Sequence, residues 1–283
     1  MSEQLPTPPQ PPNGVIAHRD LAYVSNGHER QKLDLYLPEE GEKHPLIIWI
    51  HGGAFRMGSK EGNPDNPLPF AYVTQGYALA SINYRLSQHA IWPAQIEDCK
   101  AAVRWLRAHA AAYNLDPARF AAWGPSAGGH LVAMLGTAGH VAEFEVGEYL
   151  DLSSRVQCVV DDFGPTDFLQ MDDQRPPDGM IHNAPDSPES ELVGGNIQEH
   201  PEKVARANPI TYVTADVPPF LIIHGDADPL VPYGQSVLLV EALEKVGADV
   251  TFYTVQGGGH GGFTDLALPK LTADFLAKHI GDS

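Results

Sequence analysis

Residues 120–129 read FAAWGPSAGG, and this stretch decides the fold. Its first four residues form a short apolar run, which is typical of a strand covered on both faces of a sheet. Ser126 follows between glycines at 124 and 128, and a helical pattern begins directly after it. The glycines remove side chains that would collide across so sharp a turn, so the serine hydroxyl is exposed at the sheet edge. The stretch therefore predicts a strand, a strained turn with a reactive serine, and a helix.

The rest of the chain alternates between apolar runs and helical patterns. Residues 31–37 carry a leucine at every second position, as in a half-buried strand. Continuously apolar runs occur at 46–50, 77–82, 156–160 and 220–223. The stripe from Ile96 to Tyr113 steps by three and four residues, and similar patterns follow Ser126 and cover 233–246 and 266–280. This order predicts an α/β fold with a mostly parallel central sheet of about eight strands and helices on both faces.

Two segments depart from this alternation. Residues 1–13 contain five prolines and are expected to form a flexible arm ahead of a single α/β domain at 14–283. Residues 164–200 are rich in proline and acidic residues without clear periodicity. A loop of this length within a compact domain predicts a lid-like insertion or a substrate-binding wall. A surface insertion without a function is the alternative.

The charge balance excludes several kinds of partner. Among 283 residues, 18 are basic and 36 acidic, which gives a net charge of −18. Such a chain repels phosphate backbones and anionic lipid, so neither nucleic-acid binding nor membrane attachment is expected. The first residues lack the basic start and apolar core of a secretory signal, and a cytoplasmic location is favoured. A monomer or a small homo-oligomer is expected.

Ser126 needs a base and an orienting carboxylate, because an alcohol is a poor nucleophile near neutral pH. In this kind of fold the partners follow in the order serine, acid, histidine, each after a later strand. Asp228 follows the run at 220–223, and His260 lies in a glycine-rich segment after residues 250–255. Asp226 is the competing acid; Asp228 is favoured because it sits further along the turn and directly before a proline.

Acyl transfer also needs hydrogen-bond donors for the oxyanion. The run at 46–50 ends in HGGAF, residues 51–55, a turn whose backbone N–H groups can converge on a tetrahedral intermediate. The amide of Ala127 is the expected second donor. His51 precedes the glycines and is predicted to hold this loop. The sequence carries no HExxH, no cysteine pair at zinc spacing and no phosphate loop, so no metal or cofactor is expected.

With these motifs the chain resembles serine carboxylesterases of the α/β-hydrolase fold, near the hormone-sensitive-lipase-like esterases. The resemblance covers residues 20–280 and rests on the segments His51–Phe55, Gly124–Gly129, Asp226–Pro232 and Gly257–Gly261. A narrower resemblance, to bacterial bifunctional acetylxylan and feruloyl esterases, rests on Gly76–Leu86, Trp92–Trp105, Phe163–Asp167 and Glu191–Val213.

The resemblance implies a role for each residue of the predicted site. Ser126 would be the nucleophile, Asp228 the acid and His260 the base. The backbone amides of Gly53, Ala54 and Ala127 would form the oxyanion hole. Two residues depart from the wider family: Ala54 replaces a third glycine, which a backbone donor tolerates, and Pro125 fills a position that is often polar.

Acetyl or feruloyl esters of carbohydrates are the substrates that the resemblance implies. Phe55, Arg56, Trp92 and Phe163 are candidate substrate contacts, with core packing or a surface ion pair as the alternatives. The same residues are compatible with an amidase of the kynurenine-formamidase type or with hydrolysis of aromatic polyester fragments. A non-catalytic binding protein is disfavoured because serine, acid and histidine are all present.

Overall fold

One sheet organises the chain in this computed structural model, which describes residues 8–62 and 67–281. Its eight strands are β1 (Val15–Ala22), β2 (Lys32–Pro38), β3 (His44–Ile50), β4 (Ala78–Ile82), β5 (Leu115–Pro125), β6 (Cys158–Asp162), β7 (Phe220–Gly225) and β8 (Val250–Val255). Their order across the sheet is β1-β2-β4-β3-β5-β6-β7-β8. Strand β2 pairs antiparallel with both neighbours, and strands β3 to β8 are parallel. The predicted fold class is confirmed.

Helices cover both faces of this sheet. They are α1 (Phe70–Val73), α2 (Ala94–Ala108), α3 (Ala127–Thr137), α4 (Met171–Gln174), α5 (Pro188–Val193), α6 (Pro201–Ala207), α7 (Gly234–Lys245) and α8 (Leu268–Ile280). One core joins the sheet to α2, α3 and α7, and the other joins it to α1 and α8. Within β3, Ile48 faces the first core and Ile47 the second, which is why this strand reads as a continuous apolar run.

Strand β1 is not predicted by the sequence pattern, and the structure explains why. It lies at the sheet edge, its residues are only partly buried, and its pairing with β2 shifts between His18 and Leu21. An irregular edge strand does not need a regular alternation of apolar and polar residues. The predicted helical stripe is also too long at its end, because α2 stops at Ala108 and Tyr113 lies in the turn that follows.

The two unusual segments differ in how much of them is described. Of the predicted arm at 1–13, residues 1–7 lie outside the described residues, and Pro9 accepts a hydrogen bond from Arg19 Nη2 at 2.6 Å through its carbonyl. The 164–200 insertion contains α4, α5 and short 3₁₀ turns. Met171, Leu192 and Ile197 are its buried anchors. No helix within residues 8–62 and 67–281 has the length and apolar character that a membrane crossing requires.

The sheet topology brings distant parts of the sequence to one edge. Strands β5, β6, β7 and β8 are neighbours and parallel, so the turns that follow them lie side by side. Strand β3 pairs with β5 on its other side, so the turn after Ile50 joins the same group. In parallel sheets the carboxyl ends of the strands are the usual place for ligands.

Candidate active site

Ser126 occupies a strained turn between β5 and α3. Its φ of 56° and ψ of −122° lie outside the regions that non-glycine residues normally adopt. Two hydrogen bonds hold it there: Ser126 N–H donates to the Asp162 carbonyl at 2.8 Å, and His130 N–H donates to the Ser126 carbonyl at 3.0 Å. Strain of this kind costs about 1–3 kcal/mol and persists only where the surroundings enforce it.

The glycines around Ser126 are required by the neighbouring strand. A Cβ atom on Gly124 would lie 2.6 Å from the carbonyl oxygen of Ile50, and a Cβ on Gly128 would overlap that same oxygen. Strand β3 therefore approaches the turn so closely that no side chain fits at either position. The close approach is what presents the Ser126 side chain at the sheet edge.

The structure brings Asp228 and His260 together. His260 Nδ1 lies 2.7 Å from Asp228 Oδ2, while Asp228 Oδ1 accepts the N–H groups of Leu230 at 2.8 Å and Val231 at 3.0 Å. His224, buried below, places Nε2 3.2 Å from Asp228 Oδ2. Burial alone would raise the pKa of the Asp228 carboxyl, but hydrogen bonds from the two histidines and the Leu230 amide hold it well below its ordinary value.

Asp226, the competing acid, has another task. It is exposed, and its Oδ1 accepts the Gly257 N–H at 2.6 Å. This bond joins the loop after β7 to the loop after β8, which carries His260. The Phe163 ring contacts the His260 imidazole, with 4.7 Å between the ring centroids.

Ser126 and His260 line one cavity of about 570 Å³, which we call the serine cavity. Gly53, Ala54 and Ala127 also line it. Their N–H groups donate to no other group in the described part of the chain, so all three remain available to a ligand. The Gly53 carbonyl accepts hydrogen bonds from the N–H groups of Arg56 and Met57, each at 3.0 Å, and these two bonds stabilise the turn.

His51 holds this turn from behind. Nδ1 lies 2.7 Å from the Gly52 carbonyl and therefore donates to it, so Nε2 accepts from Arg30 Nη2 at 3.1 Å. The ring also stacks on Tyr84 at 4.4 Å. Burial and the Arg30 charge lower the pKa of His51 to about 3, so its imidazole is neutral and fully occupied in supporting the loop.

The four candidate substrate contacts are placed differently. Phe55 lines the serine cavity, although its ring is almost wholly buried against His130 and Phe168. Phe163 lines a neighbouring cavity of about 610 Å³ behind the His260 loop. Arg56 and Trp92 do not line the serine cavity. Arg56 forms an ion pair with Glu191 at 2.6 Å, and the Trp92 indole N–H donates to the Arg206 carbonyl at 2.9 Å.

Sequence reasoning missed several residues of the cavity wall. They come from the 164–200 insertion and from the loop after Asp228: Met180, His182, Pro188, Glu189, Leu230 and Val231. The proline-rich insertion was the only signal for this wall, and it named no individual residue. No three His, Cys, Asp or Glu side chains within residues 8–62 and 67–281 are grouped to hold a metal ion.

Asp161, near the end of β6, is expected to make the free energy of unfolding depend on pH. Its side chain is buried and accepts the Gly164 N–H at 2.9 Å, and burial raises its pKa to about 7. The folded state therefore holds a proton that the unfolded state releases above about pH 4, so the free energy of unfolding falls as pH rises from about 4 to 7. The loss is at most roughly 4 kcal/mol.

We expect Asp161→Asn to show a flatter dependence, because asparagine keeps the acceptor for Gly164 without an ionisable group. Urea unfolding of both proteins at pH 5 and pH 8 measures this difference. Equal changes for the two proteins would show that Asp161 is ionised throughout.

The chain is similar to a known family and to proteins described as esterases. Residues 33–243 match the BD-FAE family. A solved structure described as a truncated carbohydrate esterase from gut microbiota is 37% identical, with a TM-score of 0.86, over 95% of this chain and 98% of that one. Two relatives come from Mycobacterium tuberculosis, and each is 30% identical. The probable carboxylic ester hydrolase LipM aligns with 84% of this chain and 56% of its own length, and the esterase LipQ with 98% and 65%. The chain thus spans about three fifths of these curated relatives.

Proposed function

This chain belongs to the BD-FAE family and has the α/β-hydrolase fold, and from that premise we propose that it hydrolyses carboxylic esters through an acyl-enzyme on Ser126. The observation that carries the proposal is the hydrogen bond of 2.7 Å between His260 and Asp228, beside a strained serine in the same cavity. A serine turn, a paired histidine and three free amides are the parts that acyl transfer needs.

In the first half of the reaction, Ser126 Oγ attacks the ester carbonyl carbon while His260 Nε2 takes the hydroxyl proton. The carbonyl oxygen becomes an oxyanion within reach of the amides of Gly53, Ala54 and Ala127. The carbon–oxygen bond to the alcohol then breaks, and His260 returns the proton to the leaving oxygen. Ser126 is left acylated.

In the second half, water attacks the acyl carbon while His260 again takes a proton, and the acid leaves as Ser126 regains its hydrogen. Asp228 supports both halves. Its depressed pKa keeps the carboxylate ionised, so it holds the Nδ1 proton of His260 and stabilises the imidazolium that forms each time. The neutral, occupied His51 has no part in proton transfer.

For the substrate, we propose acetyl or feruloyl esters of carbohydrates. The 37% identity to a carbohydrate esterase over nearly the whole chain supports this class. A cavity of about 570 Å³ is within the ordinary range for small-molecule sites and can hold a small ester. The net charge of −18 also favours neutral esters over polyanions.

A panel of substrates tests both the proposed ester hydrolysis and the proposed substrate class. We expect 4-nitrophenyl acetate and butyrate to be hydrolysed at least about tenfold faster, in kcat/KM, than the octanoate, because the proposed substrates carry small acyl groups. Acetylated xylosides and methyl ferulate should also be cleaved. Equal rates across chain length would contradict the small-ester assignment, and faster cleavage of 4-nitroacetanilide than of the matched ester would indicate an amidase.

A further inference from the structure

A buried ion pair in the wall of the serine cavity has no part in the proposed acyl transfer. His182 and Glu189, both from the 164–200 insertion, line the cavity, and less than a twentieth of each residue is exposed. His182 Nδ1 lies 3.0 Å from Glu189 Oε2. Among the described residues that line the cavity, Glu189 supplies the only carboxylate.

The contacts of His182 favour its imidazolium form. Its second ring nitrogen, Nε2, lies 3.0 Å from the carbonyl oxygen of Leu230. Both ring nitrogens thus face oxygens that can only accept, and only the doubly protonated ring can donate to both. Burial alone would lower the pKa of His182, but the Glu189 and Asp172 carboxylates and the Leu230 carbonyl raise it. The pair with Glu189 is therefore neutral overall.

Glu189 keeps one oxygen for a ligand. Oε2 is bonded to His182, whereas Oε1 has no hydrogen-bond partner in the described part of the chain. Oε1 is also absent from the fully enclosed, unpartnered side-chain atoms of that part, so it retains some exposure, and Glu189 lines the serine cavity. A carboxylate oxygen accepts hydrogen bonds and donates none. Because His182 already balances the charge, the open oxygen selects a neutral donor rather than a cation.

We propose that Glu189 Oε1 accepts a hydrogen bond from a free hydroxyl of the sugar whose ester is cleaved. This inference rests on the ester hydrolysis proposed above. Glu189 is then a specificity-determining residue: it favours partly acylated sugars, which retain hydroxyl groups, over fully substituted ones. The apolar residues around it, Met180, Pro188 and Leu230, offer the substrate no competing acceptor side chain.

Two substrates measure this contact: a methyl xyloside with one acetyl group and free hydroxyls, and its counterpart in which those hydroxyls are methyl ethers. We expect the wild-type protein to prefer the first about tenfold or more in kcat/KM, as for a hydrogen bond to a charged group. In Glu189→Gln the amide oxygen turns to His182 and the cavity receives an NH₂ group. The preference should fall several-fold.

Glu189→Met, which retains no strong acceptor, should remove the preference almost completely. Hydrolysis of 4-nitrophenyl acetate, which has no hydroxyl, is measured on the same proteins, and the loss of kcat/KM in Glu189→Gln should be larger for the xyloside with free hydroxyls than for this ester. The matched control is Glu202→Gln on α6, an exposed glutamate outside the cavity, which should keep the full preference.

The outcomes separate the two proposals. If the wild-type protein cleaves none of the esters, the proposed function fails. If it cleaves them without a preference for free hydroxyls, or if the glutamine and methionine variants keep that preference, the assignment of Glu189 is wrong while ester hydrolysis stands. An equal loss on all substrates in both variants also overturns it, since it would indicate a structural role.

Discussion

Ser126→Ala is expected to lower kcat/KM for 4-nitrophenyl acetate by roughly 10⁴-fold or more, the scale seen when a triad nucleophile is removed. The variant has no oxygen to attack the ester carbonyl, so no acyl-enzyme forms. The backbone should be undisturbed, because the bonds from Ser126 N–H to Asp162 and from His130 N–H to Ser126 involve only main-chain atoms. Alanine also meets the same strain at φ 56° that serine does.

Two measurements separate lost chemistry from lost folding. The melting temperature of Ser126→Ala should stay close to that of wild type, and an alkyl phosphonate should label wild type but not the variant. The exposed Ser153 provides a control, and Ser153→Ala should retain full activity and labelling. Survival of most activity in a folded Ser126→Ala protein would remove the serine mechanism altogether.

Asp228→Asn should cost about 10³- to 10⁴-fold in kcat, with little change in shape. The Leu230 and Val231 N–H groups will hold the asparagine oxygen where Oδ1 now lies, so the NH₂ group takes the place of Oδ2. That NH₂ donates to His260 Nδ1 and drives the ring proton to Nε2. The base can then no longer accept the proton of Ser126.

Asp226→Asn is the matched control for this prediction. Asparagine can still accept the Gly257 N–H, and the side chain makes no contact with His260, so we expect kcat within about threefold of wild type. A large loss in Asp226→Asn together with a small one in Asp228→Asn would reverse the assignment of the acid. Parallel assays on 4-nitrophenyl acetate at pH 8 measure both.

Much of the fold can be predicted from local patterns. Strands β3, β4, β5, β6 and β7 each contain a predicted apolar run, because a strand covered on both faces is apolar at most positions, and β2 corresponds to the alternating leucines of residues 31–37. Strand β1 has no such signature, since an edge strand with partly exposed residues and a register shift can accept polar side chains. Strand β1, which the sequence pattern did not predict, is therefore the strand whose residue types are least constrained by burial.

For the site, the sequence predicted the residues attached to strand ends better than those reached through long loops. Ser126, Asp228 and His260 each follow a strand within a few residues, so the parallel order of β5 to β8 carries them to one edge. Trp92 has no such anchor. It packs against His130 and Phe144 beneath the surface, because an indole with one N–H donor satisfied by a carbonyl is well suited to a core.

Arg56 and Glu189 show two ways in which position in the sequence fails to predict which residues line the cavity. Arg56 follows directly after the predicted oxyanion turn, yet its guanidinium points to Glu191 and the Asp186 carbonyl. Glu189 lies 63 positions beyond the serine in the sequence, yet it lines the same cavity. The path of an irregular insertion depends on many weak contacts, such as the Ser187 cap on α5, that leave no periodic trace.

The sequence by itself determined the sheet, the strained serine turn and the order of serine, acid and histidine, because short-range sterics and burial of whole strands impose those patterns residue by residue. Tertiary structure alone decided that Asp228 rather than Asp226 meets His260, and that Glu189, paired with His182, lines the serine cavity. Both outcomes depend on hydrogen-bond distances between loops far apart in the chain, and differences of a few ångströms there have no counterpart in residue order.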